Sequence, residues 1–594
     1  MYAHNKHFLR ATLIVSALMP VTLASAADLP LPPLPPPLPA WTWSGFYLGG
    51  QIGGFGGTST FSDPYGPSVF GDKVTTNGFL AGLQLGYDWQ VAPKWVVGVV
   101  ADTSYLDGKG SFTCMQAAAT IIGSNCEVTT RALATMAGRV GFLVDPLNHT
   151  LVYGKAGGAW TDSHVSIHPG NAPFGDFPGA EFPGAATSAN ANAWGGMIGA
   201  GLEHALTPAW SISFEYNYYR FASANVSTPQ TISATRTVPP AFTVDPSITS
   251  GVTADMQVVK LALNYHWGED LAAAWTYAPA FAIAAMPVTA QPAFLAKGWA
   301  FESGARYWYS TGTSKNTSGG GTLLSRLTYD NLTGQSGEFF ARVDTPAEVF
   351  VKGFVGAGAI TGGKMNDEDW GLVEEIDPEE KTKVPTAFEV TGSGVAGWLK
   401  YAAGDVGYNV WHAHDYKVGP FVGYSYFHQT MNAFGCVQLT TPESVCSTPI
   451  PANQTIITQD DTWQALRVGV SAVATIWDRW GINGDVAYLP YAQFGGLDTH
   501  WQRNPVAFYP QDGTGRGVQA ELILTYRITE NLNVGIGGRY WAFWSTNANQ
   551  SCHGGCDLTA PSGTFSTIPP SPFTTSTQRY GTFVQASYRF GSAP

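Results

Sequence analysis

Charged side chains are scarce in this sequence. They make up 12% of its 594 residues, whereas soluble domains carry roughly 25%. The charge that is present is mainly acidic, with 43 Asp and Glu against 30 Lys and Arg and a formal net charge of −13. Because phosphate binding requires a basic surface, we expect no nucleic acid among the partners of the chain.

Long apolar runs are also missing beyond the N-terminal region. No later stretch approaches the roughly 18 consecutive apolar residues that suggest a membrane-spanning helix. The chain is instead rich in glycine, with 69 residues, and in aromatic residues, which make up 13%. So many aromatic residues exclude disorder for most of the chain. Transmembrane β-barrels have this composition, since their strands alternate apolar residues facing lipid with small or polar residues facing the lumen.

The N-terminal residues predict export from the cytoplasm. Basic residues precede a short apolar run, and the small residues 24–26 follow it, as in a secretory signal peptide. A membrane anchor would need about 20 apolar residues, so we expect residues 1–26 to be cleaved as a signal peptide. Residues 27–40 consist mostly of proline and leucine and predict an extended spacer.

An alternation with a period of two begins after the spacer. Trp210, Ile212 and Phe214 fall on one face of a predicted strand, and Ser211 and Ser213 fall on the other. A soluble β-sandwich would show the same alternation. The export signal, the outward aromatic residues and the long polar loops favour a barrel in lipid. The sequence therefore predicts an all-β protein of the outer membrane, in contact with outer-membrane lipid.

The predicted strands fall into two groups. We expect about eight strands in residues 41–267 and about ten in residues 298–594, since bacterial single-chain barrels have even numbers of strands. The Ala- and Pro-rich residues 268–297 break the alternation and predict a periplasmic linker. The predicted fold is two tandem transmembrane antiparallel β-barrels.

The six cysteines form three local pairs. With both termini of each barrel in the periplasm, loops after odd-numbered strands are extracellular, and each pair falls in such a loop. Disulfides suit this oxidising surface. A metal site that includes His553 is the alternative for the last pair, and the lack of a second Cys/His pair nearby disfavours it. The predicted disulfides are Cys114–Cys126, Cys436–Cys446 and Cys552–Cys556.

Two polar clusters are the candidates for a catalytic site. Asp367 and Asp369 lie two residues apart in the acidic segment 364–384, which we expect to be a loop after the third strand of the second barrel. Asp498 and His500 end the seventh strand. Both strands run outward, so we expect both clusters at the extracellular rim. Neither a metal nor a cofactor is expected there.

These residue types fit the hydrolysis of an amide by an activated water. A carboxylate such as Asp498 can fix the tautomer of His500 and stabilise its cation. Two neighbouring carboxylates repel each other, which raises the pKa of at least one and lets the pair hold a proton. A water between His500 and the Asp367/Asp369 couple would be a positioned nucleophile. On the residues alone, a solvated acidic loop beside an interface histidine is the simpler interpretation.

Three segments of the second half resemble the omptin family of outer-membrane proteases. They are Gly-Gly-Lys-Met-Asn-Asp-Glu-Asp-Trp at 362–370, Ser-Arg-Leu-Thr-Tyr at 325–329 and Asp-Thr-His at 498–500. The resemblance implies a ten-stranded barrel that rises above the membrane. It also implies that bound lipopolysaccharide is required for activity.

The same resemblance implies a role for each candidate residue. Asp367 and Asp369 would be an aspartate couple that faces a His-Asp dyad across a cleft. In that dyad Asp498 orients the imidazole and His500 is the general base.

The resemblance is incomplete at two positions. Omptins that cut beside basic residues have acidic residues where this chain has Gly496 and Asn316, so a preference for Arg or Lys is not implied. The segment 364–384 nevertheless contains eight acidic and three basic residues. This local charge suggests a cationic extracellular peptide or protein as the substrate.

The first half resembles a different family. Trp-Thr-Trp-Ser-Gly-Phe-Tyr-Leu-Gly-Gly at 41–50 is similar to the porin-like surface antigens of alphaproteobacteria, which are eight-stranded barrels of the OmpA type. A barrel of this size is filled by side chains. We therefore expect a surface endopeptidase tethered to a structural barrel. The alternatives are a non-catalytic surface antigen or envelope structural protein, and a narrow porin.

Overall fold

Hydrogen-bonded strands make up most of the chain in a computed structural model. The predicted signal peptide (1–26), spacer (27–40) and linker (268–297) lie outside the residues that it describes. The described residues are 42–64, 72–115, 124–145, 148–169, 186–207, 209–229, 231–235, 241–245, 247–267, 298–319, 323–377, 382–413, 415–439, 446, 450–477, 479–557 and 561–591.

The strands follow one another in chain order with turns or longer connections between them. They are β1 Gly45–Phe61, β2 Lys73–Ala92, β3 Trp95–Cys114, β4 Ser124–Leu143, β5 Thr150–Pro169, β6 Thr187–Asn190, β7 Ala193–Thr207, β8 Trp210–Phe221, β9 Ala224–Ser227, β10 Thr231–Thr235, β11 Ala241–Asp245, β12 Thr249–Trp267, β13 Ala300–Ser318, β14 Ser325–Asp344, β15 Val349–Asp377, β16 Thr382–Tyr408, β17 Trp411–His412, β18 Tyr416–Gln438, β19 Thr455–Trp477, β20 Trp480–His500, β21 Ala507–Arg527, β22 Leu532–Gly554 and β23 Ser566–Gly591.

The strands close into two antiparallel rings. In the first, β1–β5, β7, β8 and β12 follow one another, and pairing of β1 with β12 closes the ring. In the second, β13–β16 and β18–β23 follow one another, and pairing of β16 with β18 closes the ring. Closure leaves neither ring with a free strand edge. The fold class predicted from the alternation, two tandem barrels of about eight and ten strands, is confirmed.

The two faces of the strands differ as a barrel in lipid requires. On β19, Leu466 and Val468 are exposed on the outer face, whereas Arg467 between them is buried in the lumen. Apolar residues outside and polar residues inside are the pattern of a transmembrane barrel. Among the described residues, no helix is long and apolar enough to cross a membrane.

The lumen of each barrel is filled by side chains. In the first barrel, Arg139 makes buried ion pairs with Asp88 and with Glu203. Because every charge in this group has a partner, its burial is tolerated. In the second barrel, a cluster that includes Trp308 and Trp541 packs across the interior, with ring centroids 5.0 Å apart.

The acidic segment 364–384 is not the loop that we expected. Its described residues belong to β15 and β16, so this expectation is wrong. Asp369 pairs with Ser325 on one side and with Glu389 on the other. The neighbouring strands therefore satisfy its backbone hydrogen bonds, which an isolated loop would leave to water.

The ends of the strands identify the two sides of the membrane. Short turns at 93–94, 345–348 and 528–531 join strands at one end, and most connections at the other end are longer. The longer connections of such barrels lie outside the cell. The predicted disulfides are confirmed, and each lies toward this extracellular end: Cys114–Cys126, Cys436–Cys446 and Cys552–Cys556.

Candidate functional site

The last residues of β20 bring an aspartate and a histidine together at the extracellular rim. Nε2 of His500 lies 3.0 Å from Oδ2 of Asp498. The two residues are two positions apart on a strand, so their side chains share one face. The side chain of Asp498 is 5% exposed and that of His500 is 15% exposed, so the contact between them is shielded from water but the imidazole is still accessible.

The aspartate couple lies on β15, in the same barrel. Asp367 pairs with Leu327 and Asp369 with Ser325 on the neighbouring strand β14. The hydroxyl of Ser325 donates a hydrogen bond to Asp369. Since alternate residues share a face, both carboxylates point to the same side of the strand and Glu368 between them points to the other side.

The two clusters influence each other electrostatically. Burial raises the pKa of Asp369, while the charges of Arg503 and His500 lower it and Asp498 raises it further. Burial also raises the pKa of the Tyr329 hydroxyl, and the charges of Asp498 and Asp367 act in the same direction. The Asp367/Asp369 couple and the Asp498–His500 dyad thus lie close enough to influence the same side chains at one rim of the barrel.

Two further residues adjoin the histidine. The ring of Tyr509 lies 5.2 Å from that of His500. The guanidinium of Arg503 donates a hydrogen bond to the Tyr509 hydroxyl and lies 5.5 Å from its ring. Neither residue was among the predicted site residues, because no motif contains them. The strand register would have revealed Tyr509, which pairs with Asp498 across β20 and β21.

A buried carboxylate lies on β19, the strand beside the dyad. Asp461 accepts hydrogen bonds from Gln459 at 2.7 Å, from Ser314 at 3.1 Å and from Gln429 at 3.4 Å. Burial raises the pKa of Asp461 to about 6, although these hydrogen bonds favour the ionised form. Asp461 pairs directly with Gly496. It was not among the predicted residues, since only the folded barrel places it near the site.

The two positions that depart from the omptin pattern are closely surrounded. A Cβ atom added at Gly496 would lie 2.6 Å from Oε1 of Gln511 and 2.7 Å from Cζ of Phe494, so an acidic side chain would fit there only if these two side chains moved. Asn316 is buried, and its amide group finds no hydrogen-bond partner among the described residues. Asn316 on β13 is paired with Leu327 on β14, and Leu327 is paired in turn with Asp367 on β15.

One cavity of the described structure lies away from this rim, at the periplasmic end of the second barrel. Its volume is about 540 Å³, and paired charges such as Arg342–Asp344 and Lys352–Asp485 line it. In the described part of the chain, no group of His, Cys, Asp and Glu has the arrangement of a metal site. The four candidate catalytic residues do not line this cavity and lie toward the other end of the barrel.

Two family models match different parts of the chain. The model described as an outer membrane protein beta-barrel domain matches residues 14–238, and the model of the Protochlamydia outer membrane protein matches residues 307–557.

Among curated proteins, the 31 kDa outer-membrane immunogenic protein of Brucella melitensis is 27% identical over 35% of this chain and 86% of its own length. The 22 kDa outer membrane protein of Rhizobium leguminosarum is 30% identical over 32% of this chain and 69% of its own length.

Solved outer-membrane structures are also similar to the chain. The outer membrane protease OmpT from Escherichia coli matches with 14% identity and a TM-score of 0.40, over 49% of this chain and 97% of its own. The attachment invasion locus protein Ail of Yersinia pestis matches with 13% identity and a TM-score of 0.16, over 38% of this chain and 99% of its own. Likeness at this level says nothing about activity.

Proposed function

Because the chain belongs to the family of outer-membrane β-barrel proteins that includes the 22 kDa protein of Rhizobium leguminosarum, its place is the outer membrane, and we propose that its second barrel is a surface endopeptidase. The observation that supports this proposal is the contact between His500 and Asp498 at 3.0 Å. It lies at the same rim as Asp369, whose pKa burial raises and the charge of His500 lowers.

The proposed reaction begins with a water between the dyad and the couple. Nε2 of His500 faces Asp498, so Nδ1 is the nitrogen left to accept the proton when the water oxygen attacks the peptide carbonyl carbon. Asp498 stabilises the imidazolium that forms. A proton held by the Asp367/Asp369 couple would hydrogen-bond to the developing oxyanion. His500 then returns its proton to the leaving amine, and the peptide bond breaks.

The proposed substrate is a cationic extracellular peptide or protein. The acidic residues of the segment 364–384 would attract such a substrate to the rim by their field. Gly496 and Asn316 carry no charge, so selectivity for one basic side chain is not part of the proposal. We further propose that lipopolysaccharide supports activity, as the omptin resemblance implies, and that no metal or organic cofactor takes part.

Peptide cleavage by the refolded full-length protein with lipopolysaccharide tests the proposal. His500→Ala and Asp367→Ala should each reduce kcat/KM by at least about 10³-fold, because each removes a group that acts on the water. His553→Ala is the matched control, since this histidine also lies at the extracellular end but is exposed and lies on β22, which β21 separates from the dyad on β20. Undiminished cleavage by His500→Ala or Asp367→Ala would show that the proposed site is not catalytic.

A non-catalytic surface antigen is the second candidate function. The Brucella relatives are named as immunogenic proteins, and the charges in the lumen of the first barrel are paired with one another. If the protein is such an antigen, the wild type should cleave peptide no faster than the Asp498→Asn variant does, whichever lipid is present. Cleavage that Asp498→Asn abolishes would exclude it.

A further inference from the structure

Glu368 is the residue between the two proposed catalytic aspartates, and it points away from them. Strand alternation directs it to the outer surface of the second barrel. An outer side chain on a strand that extends beyond the membrane would ordinarily be solvated. Glu368 is instead fully buried, so another part of the protein must cover it.

The covering element is the hairpin of β3 and β4 in the first barrel, which the Cys114–Cys126 disulfide closes. The described residues of both barrels belong to one compact unit. The hydroxyl of Thr113, in this hairpin, donates a hydrogen bond of 2.6 Å to Oε2 of Glu368. This bond joins the first barrel directly to the segment that carries the aspartate couple.

Further polar contacts fix the same hairpin to β13 and β14. Nη2 of Arg326 donates a hydrogen bond of 2.8 Å to Oδ1 of Asn125. Nζ of Lys315 donates one of 2.5 Å to the carbonyl oxygen of Ser111. The ring of Phe112 lies 5.1 Å from the Lys315 ammonium and 5.7 Å from the Arg326 guanidinium.

Arg326 and Glu368 also pair with each other. Nε of Arg326 lies 3.4 Å from Oε2 of Glu368, and both side chains are 0% exposed. Burial lowers the pKa of Arg326, whereas the charge of Glu368 raises it. Hydrogen bonds to the remaining polar atoms of a buried ion pair offset part of the cost of its burial. Thr113 and Asn125 of the first barrel supply two such bonds, whereas Nη1 of Arg326 and Oε1 of Glu368 have no hydrogen-bond partner among the described residues.

We propose that the β3–β4 hairpin of the first barrel is a positioning element for the Asp367/Asp369 couple, which it holds in place through Glu368. This proposal rests on the proposed protease function. Fixing Glu368 on the outer face fixes the backbone of β15, and with it the direction of both carboxylates on the inner face. A displacement of about 1 Å can cost 100-fold in rate, so a firmly held strand matters for catalysis. The first barrel would then support a catalytic site whose proposed residues all lie in the second barrel.

The test compares two double variants of the first barrel. Thr113→Val with Asn125→Ala removes the two side-chain hydrogen bonds that the hairpin makes to Glu368 and Arg326. Thr187→Val with Asn190→Ala is the matched control, because these residues hydrogen-bond to Ser227 and His164 within the first barrel. Each protein is refolded as the full chain with lipopolysaccharide, and heat-modifiable mobility on gels verifies that both barrels are folded.

The first double variant should lower kcat by about 10- to 100-fold and change KM by no more than about twofold, since the couple acts on the water. Thr113→Ser, which keeps the hydroxyl, should retain the wild-type kcat. The control pair should leave kcat unchanged. An unchanged kcat in Thr113→Val with Asn125→Ala would overturn the positioning role.

Hydrogen exchange of residues 364–370 separates this proposal from the protease function. These amides should exchange faster in the Thr113→Val with Asn125→Ala variant than in the wild type and the control pair. If the wild type cleaves no peptide, faster exchange would still support the hairpin as the element that holds β15, and the protease proposal alone would fail. Unchanged exchange would refute the positioning proposal whatever the wild type does.

Discussion

Arg503 is the residue whose charge most lowers the pKa of Asp369, against the burial that raises it. Its guanidinium also donates to the hydroxyl of Tyr509, which lies beside His500. One arginine therefore links the dyad side of the rim to the couple side. No motif pointed to it, because it lies in the connection between β20 and β21.

Replacement of Arg503 by methionine should shift the acid limb of the pH profile. Without the guanidinium the ionised form of Asp369 is less stable, so the pKa of Asp369 rises. If the couple works with one carboxylate ionised, the acid limb of kcat/KM moves to higher pH. Arg479→Met, at an exposed turn at the opposite end of the barrel, is the control. A limb that stays in place or moves to lower pH would contradict this role of Arg503.

Asp461 should make the stability of the protein depend on pH. Its pKa is about 6 in the folded chain and about 3.9 when unfolded. The folded state therefore binds this proton more tightly, and stability falls as the pH rises through that interval. Relative to wild type, Asp461→Asn should gain up to about 3 kcal/mol between pH 4 and pH 8. Urea unfolding in detergent measures the gain, and Asp512→Asn at an exposed position should show none.

At the level of the strands, the sequence allowed the centre of each element to be predicted but not its extracellular end. Within the membrane, residues such as Leu466 and Val468 mark the lipid-facing side. Above the membrane both faces meet water or protein, and the alternation of apolar and polar residues disappears. This is why the acidic residues of β15 suggested a loop. Their strand structure comes from pairing with β14 and β16, and the sequence does not specify that pairing locally.

In the candidate site, too, some residues could be predicted from the sequence and others could not. Asp367, Asp369, Asp498 and His500 could be predicted because each pair lies two positions apart in a motif. Asp461, Tyr509 and Arg503 could not, because the register of separate strands and one connection bring them together. Asp461 lies on β19, Tyr509 lies on β21, and Arg503 lies in the β20–β21 connection.

The disulfide of the β3–β4 hairpin should stabilise that element. It closes a segment with a sequence separation of 12 residues, and the loss of chain entropy for such a loop corresponds to about 3 kcal/mol. Replacement of Cys114 and Cys126 by serine should lower the free energy of unfolding by about that amount. The Cys552/Cys556 pair, with a separation of 4, should contribute about 2 kcal/mol. A larger loss of unfolding free energy after removal of Cys552–Cys556 than after removal of Cys114–Cys126 would contradict this order.

On the scale of the whole molecule, the two barrels contact each other along their height. Near the periplasmic end the hydroxyl of Tyr416 donates to the carbonyl of Leu206. Further along, the rings of Phe79 and Tyr488 lie 4.7 Å apart. At the extracellular end the β3–β4 hairpin contacts the second barrel. Such a continuous contact explains how a structural barrel could influence a site in its neighbour.

The protein should not conduct ions. Paired charges around Arg139 fill the lumen of the first barrel, and the cluster of Trp308 and Trp541 crosses that of the second. Planar bilayers that contain the full-length protein and lipopolysaccharide should show no stepwise conductance. Reproducible single-channel steps would instead favour the porin alternative, and a general porin of known conductance serves as the positive control.

The most direct test of the central claim is the rate of peptide cleavage by wild type and Asp498→Asn, refolded in parallel with lipopolysaccharide. The substitution keeps the size of the side chain but removes the charge that orients His500 and stabilises its cation. We expect measurable turnover by the wild type and a kcat lower by about 10³- to 10⁴-fold in Asp498→Asn. Equal rates in the two proteins would contradict the account.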